Sequence, residues 1–291
     1  MLTIRQLAKT VNPEPKTLTV RSLLGVEPPI SLRKMLQLPA ELYHFKQSTH
    51  SGVWPHIDKD ILINDIRLTI LNPLKVNQKS APLCGPTAVV YELVSRQPHR
   101  FVQFCRQLWE KGLLVARGKT IKASQTLKSS PDPPLSPADW ILIATMREDE
   151  NLFLEIDNDV SDLEGYTGGA VWIFEILGPS PMKTWARHIL NYNQIDSLST
   201  YITEEMKALG MAHEAWQKDG TAFMLINSAM LDEGDCEIYP NHWVAYDGGL
   251  QIDLTKETVS FNCYSWGKIY ELTMKIDKFT SCMFGVVTGT P

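Results

Sequence analysis

Apolar positions along this chain follow two spacings, and the change comes near residue 220. In residues 86–94, Val89, Val90, Leu93 and Val94 fall three and four apart, which predicts a helix. Residues 99–111 repeat the pattern, with Phe101, Phe104, Cys105 and Leu108 on one face. Ser136-Pro137-Ala138-Asp139 opens a third helix through Trp140, Ile141, Ile143 and Ala144. Ser136 suits its N-cap and Pro137 its first turn. Residues 197–218 predict a long helix broken in pattern only by Gly210. Beyond Gly220 the apolar residues run in short blocks, predicting strands at 221–227, 242–246, 250–254, 259–264, 269–274 and 283–287. Helices first and antiparallel strands last predict an α+β fold rather than an alternating α/β one.

The first seventy residues are less regular. A short helix is expected at 2–10 and helical turns at 31–38 and 40–45, interrupted by prolines at 13, 15, 28, 29, 39 and 55. Residues 61–71 are apolar and β-rich, and predict a strand. Asn72-Pro73 then marks a boundary, giving an N-terminal extension, 1–72, and a main domain, 73–291. Residues 119–137, rich in Lys, Ser and Pro, predict an exposed loop. No internal repeat or low-complexity tract is present.

Composition narrows the class. The chain has 291 residues, 44% hydrophobic and 21% charged, and a domain of this size needs neither disulfides nor metals to fold. Its five cysteines, 84, 105, 236, 263 and 282, are odd in number and form no CxxC pair. A disulfide framework and a structural zinc site are therefore not expected, and a reducing setting is. A net charge of -5 argues against a nucleic-acid partner held by phosphate neutralisation. No apolar run reaches membrane-spanning length. The first twenty residues do not read as a signal peptide, so the expected location is the cytoplasm of the producing cell, with any export by another route.

Candidate chemistry centres on Cys84. It lies just before Gly85-Pro86, where loop gives way to helix. The positive end of a helix favours a thiolate, the nucleophilic form. A thiolate needs a base, and His242 begins the strand 242–246, where a side chain is held firmly at a cleft edge. Asp247-Gly248 predicts a type I′ hairpin. With those two residues at its centre, Tyr246 pairs with Gly249 and His242 faces Asp253, the candidate for orienting the imidazole. A turn shifted by one residue puts Leu254 or Thr255 there instead. Gln78, six residues before Cys84, offers an amide that could hold an oxyanion beside the Cys84 N–H.

Together these residues resemble the papain-like cysteine peptidases. That family carries an oxyanion-hole glutamine, a cysteine at the head of a central helix, a histidine on a later strand and an Asn or Asp after it. Gln78 and Cys84 match in spacing, Cys84-Gly85-Pro86-Thr87-Ala88 looks like the nucleophile motif of bacterial branches, and His242 matches by order. Tyr264-Ser265-Trp266-Gly267 is similar to the family's Asn-Ser-Trp-Gly, but the asparagine position is Tyr264. The third residue is then Asp253 or, on the strand of that echo, Asn262. The resemblance covers about residues 74–94 and 240–270.

It implies a papain-like helical lobe packed on an antiparallel sheet, and a cysteine hydrolase that needs no cofactor or metal. The implied substrate is a protein or peptide amide, with deamidation, acyl transfer and cell-wall peptide cleavage open to the same site. A bacterial effector or toxin is a further expectation, with secretion machinery and an inhibitory immunity protein as partners. The rival class is a non-enzymatic interaction module of the same shape. For it, Trp54, Trp109, Trp140, Trp172, Trp185 and Trp216 would supply core or binding surface.

Overall fold

The structure is a computed structural model that describes residues 32–131, 133–150, 178–200, 204–232 and 234–291. The helix expected at 2–10 and Trp172 lie outside them. Two apolar cores sit on opposite faces of one sheet, and the site lies where the helical lobe meets the sheet.

The lobe begins with α1 (Leu32–Gln47) and α2 (Lys59–Leu71). The two short turns expected before residue 46 are one helix that runs through Pro39. The strand expected at 61–71 is also a helix. Leu62, Ile66 and Thr69 are buried at helical spacing, and the Asp58 side chain caps the start by accepting the Ile61 N–H at 2.9 Å. Periodicity and cap override the strand propensity of the isoleucines. Phe45, Trp54, Ile57, Leu62, Ile63 and Ile66 all join the lobe's core, so residues 40–72 pack with the main domain.

Next come α3 (Cys84–Arg96) and α4 (Pro98–Lys111). Every residue from Gly85 to Val94 is buried, so α3 is the lobe's central helix. Each of Val89, Val90 and Leu93 contributes about 1.5–3 kcal/mol relative to exposure. α4 ends at Gly112, whose positive φ suits a left-handed cap. The loop expected at 119–137 is partly structured. β1 (Leu113–Ala116) and β2 (Lys119–Lys122) form a hairpin, followed by a helical turn capped by Ser124.

Segment α5, residues 137–150, starts where Ser136 and Pro137 predict. Its middle, Trp140–Ala144, is a π-helical turn, fully buried. α6 (Pro179–His188) completes the lobe. Trp54, Trp109, Trp140 and Trp185 all lie in this core.

The sheet begins earlier than expected. Residues 194–199 form β3 (Gln194–Ser199), not helix, and α7 (Glu205–Gln217) runs unbroken through Gly210. Then follow β4 (Thr221–Ile226), β5 (His242–Tyr246), β6 (Gln251–Asp253), β7 (Thr258–Ser265), β8 (Lys268–Lys275), a short α8 (Ile276–Cys282) and β9 (Met283–Thr290). All seven strands pair antiparallel in a curled half-barrel, in the order β3-β9-β4-β5-β7, with β6 and β8 also on β7.

Strand alternation divides the cores. Phe223, Leu225, Trp243, Ala245 and Tyr264 face the helical lobe. Met224, Ile226, Val244, Tyr246, Phe261 and Cys263 face the other way, against α7 and α8.

The hairpin expected between β5 and β6 does not form. β8 takes all of one edge of β7, and β5 and β6 lie end to end along the other. Tyr246 pairs with Cys263, not Gly249. The chain bends at Asp247-Gly248-Gly249, both glycines with positive φ, while the Asp247 N–H donates to the Asn262 carbonyl and the Asn262 N–H to that of Gly248, each at 2.8 Å. Those two bonds turn the chain along β7 instead of back along β5.

Cys236 and Cys282 are joined as a disulfide, with Cα atoms 5.3 Å apart. The odd cysteine count gave no hint of this bridge. Among the described residues, no helix is long and apolar enough to cross a membrane.

Candidate active site

The chain reaches Cys84 through a tight loop. The Ala81 N–H donates to the Gln78 carbonyl at 3.1 Å and the Leu83 N–H to that of Ala81 at 2.8 Å. The Thr87 N–H then starts the helical ladder on Leu83. Leu83 supplies no side-chain cap, so the positive end of α3 is left open at Cys84. Cys84 is partly exposed, while Gln78 is buried in the loop before it.

α3 packs across β5, and the Cys84 thiol meets the backbone N–H of Trp243, the residue after His242. Burial pushes the thiol up. The Trp243 N–H, the Arg147 charge and the N–H groups of Gly85 and Cys84 pull it partly back. The helix end thus acts in the expected direction, but burial outweighs it, and the resting form is the thiol.

His242 is 3% exposed. Its Nε2 lies 2.6 Å from Ser265 Oγ, and its ring stacks on Trp266 with centroids 4.2 Å apart. Burial pushes the imidazole down to about 3, so it is neutral at physiological pH. The direction of that bond follows the tautomer: where Nε2–H donates to Ser265, Nδ1 carries the free lone pair, and where the Ser265 hydroxyl donates, Nδ1 carries the proton.

No family model, curated protein or solved structure matches this chain.

The geometry of the site corrects the third residue. Asp253 is half-buried and holds the turn after β6. Its Oδ1 accepts the N–H groups of Thr255 at 2.9 Å and Lys256 at 3.0 Å, which keep the carboxyl below its ordinary range. β6 lies along the far half of β7, so Asp253 pairs with Thr258 while His242 meets Ser265. Asn262 packs at Gly249 in the bend. The side chain in hydrogen-bond contact with the imidazole is Ser265.

Tyr264, in the family's asparagine position, has a different task. Its ring stacks on Tyr91 of α3 at 3.7 Å between centroids, and its hydroxyl donates to the Val76 carbonyl. It clamps β7 to both α3 and the Gln78 loop. Within the stretch 264–267, the residues that touch His242 are Ser265 and Trp266. Arg147 had no signal at all, since nothing in the sequence links residue 147 to 84.

Among the described residues, no group of three His, Cys, Asp or Glu side chains could hold a metal ion. Asp253→Ala is expected to leave activity within about twofold of wild type, while Ser265→Ala, by freeing the ring, lowers it about tenfold or more. Initial rates of the two variants, or of Cys84 alkylation, check this; a larger loss in Asp253→Ala would restore the aspartate.

Proposed function

We propose that this protein is a cysteine hydrolase with a papain-like site, acting on an amide bond of a protein or peptide. The observation that carries the reading is the meeting of two elements. Cys84 sits at the open end of a buried helix, its thiol against the Trp243 backbone of β5, and the residue before Trp243 is a histidine held by Ser265 and Trp266.

Both groups rest neutral, so the proton moves as attack proceeds rather than before it. His242 takes the Cys84 proton while sulfur bonds to the substrate carbonyl. The Cys84 N–H and Gln78 receive the oxyanion. The imidazolium returns its proton to the leaving amine, and water then releases the acyl group from sulfur. Replacing water by an amine would give acyl transfer, and a glutamine side chain as substrate would give deamidation.

A small haloacetamide or epoxide should modify Cys84 near neutral pH well before the free thiols of Cys105 and Cys263. Both of those are buried, and burial pushes both up. Equal modification of the three in the folded protein counts against the reading. Proteome comparison of cells expressing wild type and Cys84→Ala then separates cleavage from deamidation and from attack on wall peptides.

A further inference from the structure

Two carboxylates lie buried beneath the Gln78 loop. Asp139, in the first turn of α5, is 2% exposed, and Asp65 of α2 is 8% exposed. Asp139 Oδ2 accepts the Asn77 N–H at 3.2 Å, but its Oδ1 is buried without a hydrogen-bond partner. Asp65 Oδ2 accepts the Ala138 N–H at 2.9 Å. A buried carboxylate anion needs more donors than this.

The Ser136 hydroxyl adds one further donor, and the charged groups that face Asp139 leave the balance against its anion. Asp65 opposes its charge and Lys75, on the turn after α2, offsets part of that. Cys105 of α4 and Tyr264 of β7 are neutral, and the Asp139 charge pushes both further up. Burial first, and then Asp65, raise Asp139 to about 7 against the Asn77 bond.

Asn77 links this pair to the site. Its Oδ1 accepts the Lys79 N–H at 2.7 Å, and its Nδ2 donates to the Trp266 carbonyl at 3.3 Å. A Cβ on Gly267 would lie 2.7 Å from that Nδ2, so the contact is close. Asn77 thus adjoins Gln78 in the chain and ties the loop to Trp266, whose ring covers His242.

We propose that Asp139 is a positioning residue that keeps a proton beside Asp65, and that losing it loosens the Asn77–Gln78 loop and the Trp266 turn. A neutral carboxyl still accepts the Asn77 N–H through its carbonyl oxygen. Two adjacent anions repel, and the segment Asp139 holds is the one that moves. The effect on activity rests on the cysteine-hydrolase reading; the location of the proton does not.

The variant Asp139→Asn fixes the neutral form. Between the ordinary value of 3.8 and about 7, the folded wild type keeps a proton that the unfolded chain has lost, so stability falls as pH rises through that window. The Tm of Asp139→Asn should therefore gain on wild type from pH 4 to 7 and keep a constant lead above it. A difference that does not change with pH overturns the proton.

Hydrogen exchange of residues 72–83 tests the positioning. In wild type, exchange beyond the intrinsic base-catalysed rate should rise from pH 6 to 8, and Asp139→Asn should suppress the rise. Unchanged protection in wild type overturns the coupling. Asp65→Asn, which removes the opposing charge, should move the wild-type transition to lower pH; an unmoved transition counts against the pair. If Cys84 stays inert to alkylation in wild type at every pH, the hydrolase reading fails, and the thermal and exchange data still decide on Asp139.

Discussion

His242→Ala is expected to lower single-turnover amide cleavage by roughly 10³-fold or more, with Cys84 alkylation falling toward the rate of a buried, unassisted thiol. The cause is the protonation balance of the resting site. Burial raises the thiol and lowers the imidazole, so neither charged form is stored in advance. Without the imidazole, the proposed mechanism has no base to take the proton as sulfur attacks. The same balance fixes the acid limb of the pH profile. An unperturbed histidine would halve the active fraction near pH 6.5, whereas His242, at about 3, leaves activity intact through pH 5. Trp266→Ala removes the ring that covers the imidazole and should move that limb upward toward 6.5. A pH–rate profile of the two proteins checks both statements; a wild-type acid limb near 6.5 would show that His242 is wet in solution.

Tyr264→Ala should cost about 3–5 kcal/mol of unfolding free energy, measured by urea denaturation. The residue is 1% exposed and joins three elements: β7, the stacked Tyr91 of α3, and the Val76 carbonyl of the loop. Its removal leaves a cavity between the helical lobe and the sheet and strips a buried carbonyl of its donor. Tyr264→Phe separates the two effects. It keeps the stack and loses only the hydroxyl, for about 1–3 kcal/mol. Alanine and phenylalanine variants of equal stability would mean that the stack contributes nothing. Activity should fall further than stability alone requires, since Ser265 and Trp266 follow directly on the same strand.

The α+β order was legible because helical and strand spacing occupy different halves of the chain. The head of α3 was legible from Gly85-Pro86, and the start of α5 from Ser136-Pro137. Residues 61–71 were misread because isoleucine content was weighed above the burial period of Leu62, Ile66 and Thr69. The Asp253 assignment failed for a geometric reason. Asp247-Gly248 is a turn signal, but sequence does not say which strand the turned chain will join, and β7 offered a free edge. Ser265 was hidden by chemical expectation. A hydroxyl meets the imidazole where a carboxylate or amide was expected, and the asparagine position went to a tyrosine that packs. Asp139 and Arg147 come from a helix whose distance from Cys84 along the chain leaves no local signature.

Among the described residues the half-barrel is open, and β3, β6 and β8 each pair on one side only. Unpaired strand edges are templates on which further chains can add. β3 offers Gln194, Asp196, Ser197 and Ser199 on an exposed ribbon, and β8 carries Lys268, Glu271 and Lys275. A second strand docking on either edge would have to strip water from those groups. The polar borders let the molecule keep an incomplete barrel without seeding edge-to-edge aggregation.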